Sequence, residues 1–388
     1  MKKFLVLCVC LTSLAHAEKW NENNNPNHYK KIIGMNVITS YQLLPMSGKL
    51  DDERLGWSET YWPSNKGGIA FRWNSPDPMP FNYSFHTKEQ LQTLPRAEME
   101  KLSPAELYDI SQGDYTYSLT RKTLGLFTPH DLWWEGICHG WSQAAVNYPE
   151  PAKVLIKNPD GIIVPFGSSD VKGLLAMHDA YNSKGTYTHI GGRCSAPGKV
   201  PGEGSTRDRH VDMPAPELAE TEECRDVNAG AFHVVMANMI GIQSMALIAD
   251  VDRFNDVWNQ PVVSYDASVK EELAVSEEQT MNGIARRLSM QMKMVYGEEL
   301  QFASAAATAR GEDNFVSKNP VTRTGHQEFR FKIYEYILEL DGAGKVVGGE
   351  WMSDTRPDFL WTKKRDQKFQ NSPMPLGGLV KIYKPVKY

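Results

Sequence analysis

Cys138 has the surroundings of a nucleophile. It lies in Asp131-Leu-Trp-Trp-Glu-Gly-Ile-Cys138-His-Gly-Trp-Ser-Gln-Ala-Ala-Val-Asn147-Tyr-Pro149, where Gly136 permits a tight turn, residues 142–146 suit a helix and Pro149 stops it. This places Cys138 at or near a helix N-terminus. There the positive end of the helix dipole favours thiolate over thiol, and free backbone N–H groups could hold an oxyanion. Such a sulfur needs a base. His233 lies at the start of a dense apolar run, 232–240, which reads as a buried strand; Gly241 follows, then a second run, 245–249, ending at Asp250. The pattern predicts a β-hairpin with imidazole and carboxylate at adjoining strand ends, so that His233 takes the thiol proton and Asp250 orients the ring. Asp252 falls on the same side of the strand and competes for the orienting role. His139, next to Cys138, would point away from it on a helix. The alternative is structural: a core cysteine among tryptophans, and a core histidine satisfied by backbone.

Composition bounds the setting for this chemistry. The chain has 388 residues, with 47 acidic against 42 basic side chains and a net charge of −5. That balance argues against nucleic acid as a partner, because phosphate binding needs a concentrated basic face. A hydrophobic content of 41% with 10% aromatics excludes a largely disordered chain. Residues 1–17 combine Lys2 and Lys3, an apolar stretch over 4–14, and Ala15-His16-Ala17, the pattern of a cleaved secretory signal. The mature protein is therefore expected to begin near Glu18, in the periplasm or secreted. No apolar run is long enough for a membrane span. Of five cysteines, Cys8 and Cys10 would leave with the signal. Cys194 and Cys224 bracket a stretch rich in Gly, Pro and acids that would gain about 3 kcal/mol from closure, so they are expected to form a disulfide. Cys138 is then the remaining free thiol.

The elements needed to position these groups are partly legible. Residues 171–180 carry helical spacing, with Leu174, Leu175 and His178 on adjacent turns, and His178 reads as a helix-face residue rather than a ligand. Leu288, Met290, Met292, Met294 and Tyr296 alternate with polar residues as in a half-buried strand, the methionines serving as core. Phe329–Leu340, the turn Asp341-Gly-Ala-Gly344 and Val346–Trp351 predict a long antiparallel hairpin. Lys363-Lys-Arg365 reads as a solvated face. Neither His-x-x-x-His nor Cys-x-x-Cys occurs, the acidic tract over 217–223 lacks the glycine of a calcium loop, and no phosphate loop is present, so no metal or cofactor is expected. The expected organisation is a signal over 1–17, an N-terminal domain or pro-segment over 18–105, a catalytic core over 106–275 and a C-terminal antiparallel β part over 276–388.

Several strings resemble one family. Val257-Trp-Asn-Gln-Pro-Val262 looks like the core of the defence-eliciting peptide of oomycete cell-wall transglutaminases, the transglutaminase elicitor family, which also has marine bacterial members. Gly136-Ile-Cys138-His-Gly-Trp141, Phe232-His233-Val-Val, Gly348-Gly-Glu-Trp351 and Arg356-Pro-Asp-Phe-Leu-Trp361 are similar to further signatures of that family, in the expected order. The resemblance implies an α+β, papain/transglutaminase-like core with a cysteine-bearing helix against an antiparallel sheet. It also implies a thiol acyltransferase joining glutamine to lysine side chains of protein substrates. Carried over, Cys138 is the nucleophile and His233 the base and acid. Asp250 is the orienting carboxylate, with Asp252 and Asn259 as alternates. Trp133 or Trp134 would donate to the oxyanion. A cysteine peptidase or glutamine deamidase could use the same triad, and an inactive surface or adhesion protein could keep the fold.

Overall fold

The computed structural model describes residues 19–51, 55–72, 84–192, 226–251, 257–299, 329–353, 355–364 and 368–386. Its largest element is an antiparallel sheet. Strands β1 (Ser47–Lys49), β4 (Thr186–Gly191), β5 (Leu247–Asp250), β6 (Asn259–Leu273), β7 (Arg286–Gly297), β8 (Phe329–Leu340), β9 (Val346–Trp351) and β10 (Phe359–Lys364) run in the order β4-β10-β5-β6-β7-β8-β9, and β1 pairs with β6 beyond the end of β5. A separate hairpin joins β2 (Val154–Lys157) to β3 (Ile163–Phe166). With helices on both faces of the large sheet, the architecture is α+β.

Side-chain alternation generates the two faces. In β7, Leu288, Met290, Met292, Met294 and Tyr296 are buried, while Gln291, Lys293 and Val295 between them are half-buried or exposed, as their period of two predicts. The β8–β9 hairpin also forms as expected. Asp341 Oδ1 accepts from the N–H groups of Ala343 and Lys345, and Gly344 takes the left-handed backbone conformation that closes the turn.

One sheet face is covered by α5 (Ala229–Met236) and by Tyr29, Ile32, Val37, Leu44 and Leu50. The other carries the helical layer: α1 (Pro104–Gln112), α2 (Ser118–Leu124), α3 (Cys138–Asn147) and α4 (Ser168–Tyr181), with Trp57, Tyr61 and Trp62 between them. The region before α1 thus contributes β1 to the sheet and side chains to both cores. Helices α3 and α4 approach closely because residue 140 is glycine; a methyl there would strike the Ala176 carbonyl. No described helix is long and apolar enough to cross a membrane.

One expectation is overturned. Residues 232–240 are not a strand: they lie in α5 and its π-helical continuation, Ala237–Ile242. Asn228 caps the helix by accepting from the N–H groups of Gly230 and Ala231. The run is almost wholly apolar, and its polar His233 and Asn238 are buried too, because the helix is enclosed all round, between the sheet and the N-terminal segment, which erases the 3.6-residue period. Glycine again permits the contact, since a methyl on Gly230 would collide with the Gly348 carbonyl of β9. The expected hairpin from His233 to Asp250 is therefore a helix followed by a strand.

Candidate active site

Cys138 is the first residue of α3, as its flanking sequence predicts. The turn before it is pinned to the N-terminal segment. Ile137 N–H donates to the Tyr61 carbonyl at 2.8 Å, and Gly136 packs so tightly on that carbonyl that a side chain would not fit. One turn on, Trp141 Nε1 donates to the Trp57 carbonyl at 3.1 Å, while Trp57 Nε1 donates to the Tyr148 carbonyl at 2.9 Å. These bonds fix both ends of α3 against the N-terminal segment.

Cys138 is 8% exposed. Its thiol donates to the Val257 carbonyl at 3.7 Å, and it accepts from Asn259 Nδ2 at 3.6 Å. The Asn259 oxygen in turn accepts from Trp361 Nε1 at 2.7 Å. Asp250 pairs in register with both Asn259 and Phe359, and its Oδ1 accepts from Trp258 N–H at 3.0 Å. Residues directly opposite in an antiparallel ladder share a face, so β5, β6 and β10 present Asp250, Asn259 and Trp361 towards α3. Burial pushes the thiol up to about 11; the Glu299 and Asp250 carboxylates add to the rise, and the Asn259 side-chain and backbone N–H groups oppose it. Loss of hydration thus outweighs the N–H groups that favour the thiolate, and Cys138 is held as a thiol at neutral pH.

His233 is placed elsewhere. It is fully buried in α5, shares a 2.8 Å hydrogen bond through Nδ1 with the Tyr336 hydroxyl, and stacks on Tyr41. Leu247 and Ala249 belong to the core around α5, so by alternation Asp250 points to the opposite face, towards Cys138. The sheet separates this imidazole from the thiol. Burial lowers its pKa to about 4, leaving a neutral core histidine in contact with tyrosines. The sequence-based pairing of His233 with Cys138 and Asp250 is corrected accordingly.

The other candidates are distributed as follows. Asn259 is at the sulfur, whereas Asp252, Cys194 and Cys224 lie outside the described residues. Trp133 and Trp134 are half-buried. The Trp133 carbonyl accepts from the Tyr61 hydroxyl at 2.7 Å, and its ring lies 6.1 Å from Trp258, which also meets Tyr61 edge-on. This places Trp133 in an aromatic cluster with Trp258 and Tyr61, while the side-chain donor on the sulfur is Asn259. His139 is exposed. His178 accepts from Gln370 N–H through Nε2 at 3.1 Å, so its Nδ1 proton faces Asp179 at 3.0 Å, and the ring ties the C-terminal segment to α4. Lys363 is only partly solvated; its ammonium donates to the Ser183 carbonyl. Among the described residues, no group of three or more His, Cys, Asp or Glu side chains could hold a metal.

Sequence reasoning missed Trp361 as the partner of Asn259, Val257 as the acceptor of the thiol and Glu299 as a charge acting on it. The first two stand inside the strings Arg356–Trp361 and Val257–Val262 quoted above, which was the available signal; Glu299 gave none.

The family described as Transglutaminase elicitor matches residues 118–374, a span containing Cys138, Asp250, Asn259 and Trp361. Among solved structures, the GP42 transglutaminase from Phytophthora sojae has a TM-score of 0.63 at 18% identity, covering 94% of this chain and 98% of that chain. At that identity the likeness is one of fold. No curated protein matches the sequence.

Proposed function

Because the chain belongs to the transglutaminase elicitor family, we propose that it is a protein-glutamine γ-glutamyltransferase with Cys138 as its nucleophile. The observation that carries this reading is the setting of the thiol: first residue of a helix, largely buried, its sulfur contacted by a carboxamide donor. In the reaction, Sγ forms a bond to the side-chain carbonyl carbon of a glutamine while the carbonyl electron pair moves onto oxygen. The pair returns, the C–N bond breaks, and ammonia departs with the thiol hydrogen, leaving a thioester. A lysine amine then attacks the thioester carbon and restores the thiol, yielding an isopeptide. A largely buried Cys138, with the aromatic cluster of Trp133, Trp258 and Tyr61 on the segments that flank its contacts, favours an amine over water as acceptor.

The substrates in this reading are proteins bearing glutamine and lysine. The signal-like residues 1–17 support action outside the cytoplasm, where a Cys194–Cys224 disulfide would persist. The test is mass spectrometry of a glutamine peptide incubated with the protein and a primary amine, which separates transamidation, deamidation and cleavage as distinct mass changes. Cys138→Ala should abolish amine incorporation and leave thermal stability nearly unchanged. Incorporation retained by that variant refutes the assignment, and deamidation or cleavage alone favours a hydrolase.

A further inference from the structure

The Asn259 carboxamide can be oriented without ambiguity. An indole N–H is a donor only, so the end of the amide 2.7 Å from Trp361 Nε1 is its oxygen, and the NH2 end faces Cys138 Sγ at 3.6 Å. Both side chains are almost wholly enclosed, at 5% and 7% exposure. The backbone holds them in place: Asn259 is opposite Asp250 on β6, and Trp361 is opposite Ile248 on β10, across the same central strand β5.

This arrangement fits the role of a donor. The Asn259 oxygen is turned to the indole, and the imidazole expected from sequence, His233, lies across the sheet with Tyr336. The Asn259 N–H groups point at the atom where negative charge develops. The backbone N–H of the same residue also favours an anionic sulfur.

Resting on the acyl-transfer reading above, we propose that Asn259 is a catalytic residue that donates to the anion formed at Cys138, and that Trp361 is a positioning residue that fixes the Asn259 amide. As the Sγ–C bond forms and the carbonyl pair moves onto oxygen, that oxygen develops beside the sulfur, within reach of Nδ2. The donor stabilises the adduct until the pair returns and ammonia leaves. Donors aimed at such a developing charge contribute far more to the transition state than to substrate binding.

The test uses the full chain with Asn259→Ala, Asn259→Asp and Trp361→Phe. Three readouts are compared: the pH profile of Cys138 alkylation by iodoacetamide, kcat and KM for amine incorporation, and thermal stability. Asn259→Ala should move the alkylation profile to higher pH and lower kcat by about 100- to 1,000-fold, with KM within a few-fold. Asn259→Asp keeps an oxygen for the indole but loses both donors and adds charge, so it should move the profile further in the same direction. It serves as the second probe should the alanine variant fail to fold. Trp361→Phe should lower kcat by about tenfold, and should have no further effect in an Asn259→Ala background, because it acts only through that amide.

An unshifted alkylation profile in both Asn259 variants overturns the proposal. So does a Trp361→Phe loss that is the same in both backgrounds. A wild-type protein that incorporates no amine refutes the acyl-transfer reading, and the alkylation profiles then decide the Asn259–Trp361 assignment on their own.

Discussion

The carboxylates around Cys138 make a prediction opposite in sign to that of a Cys-His-Asp triad. With the thiol pushed up to about 11, its thiolate at pH 7 amounts to about one part in ten thousand. An ordinary free cysteine is a few per cent ionised there, so iodoacetamide should modify Cys138 at least about 100-fold more slowly than an exposed thiol. Asp250→Asn removes one negative charge facing the sulfur, while its carboxamide oxygen can still accept from Trp258 N–H, which now bonds Asp250 at 3.0 Å. A shift of one pKa unit, the order that a neighbouring like charge produces, is about 1.4 kcal/mol, or tenfold in thiolate. Alkylation should therefore accelerate by between about three- and thirtyfold. Glu299→Gln should act in the same direction and more strongly, because Glu299 weighs more on the thiol than Asp250 does. The assay is a stopped alkylation time course from pH 6 to pH 10, with the site of modification located by mass spectrometry. Unchanged rates would show that these carboxylates do not hold the thiol protonated. Slower rates in Asp250→Asn would be the signature of an aspartate that orients a catalytic imidazole, and would refute the reasoning.

Two further perturbations probe the opposite sheet face and the far strands. Tyr336→Phe removes the hydroxyl bonded to His233 and should cost about 1–2 kcal/mol by denaturant unfolding while leaving Cys138 alkylation untouched; an altered alkylation profile would mean that His233 communicates with the thiol. The low folded-state pKa of His233, about 4, fixes the sign of its pH effect: its contribution is intact above the unfolded value of 6.5 and is lost as pH falls towards 4, because only the unfolded chain takes up the proton. Glu339 behaves in the reverse sense. Burial, with Glu350 adding and Arg287 opposing, raises it from 4.5 to about 7, so its stabilising proton is held fully below pH 4.5 and lost as pH rises through 7. Glu339→Gln should therefore gain in melting temperature over wild type between pH 5 and pH 8, and a constant difference across that range would show that Glu339 titrates normally.

Local features of this protein were set by local sequence. The start of α3 at Cys138 follows from Gly136 before it and from the helix-compatible residues after it. The inward faces of β7 and β8 follow from a period of two that any antiparallel strand imposes. The motif strings also contain Cys138, the two residues that contact its sulfur, Val257 and Asn259, and Trp361, which bonds Asn259. Only the fold decided what those residues do. The apolar run around His233 carried no period because α5 is buried on every side, so helix and strand were indistinguishable there and the face to which the imidazole belongs could not be read. The direction of the Asn259 amide depends on an indole arriving from β10, a non-local pairing that no short-range pattern encodes. The ionisation of Cys138 was decided by burial: a helix dipole is a local property, whereas the loss of water around a sulfur belongs to the packed molecule, and here the packed molecule prevails.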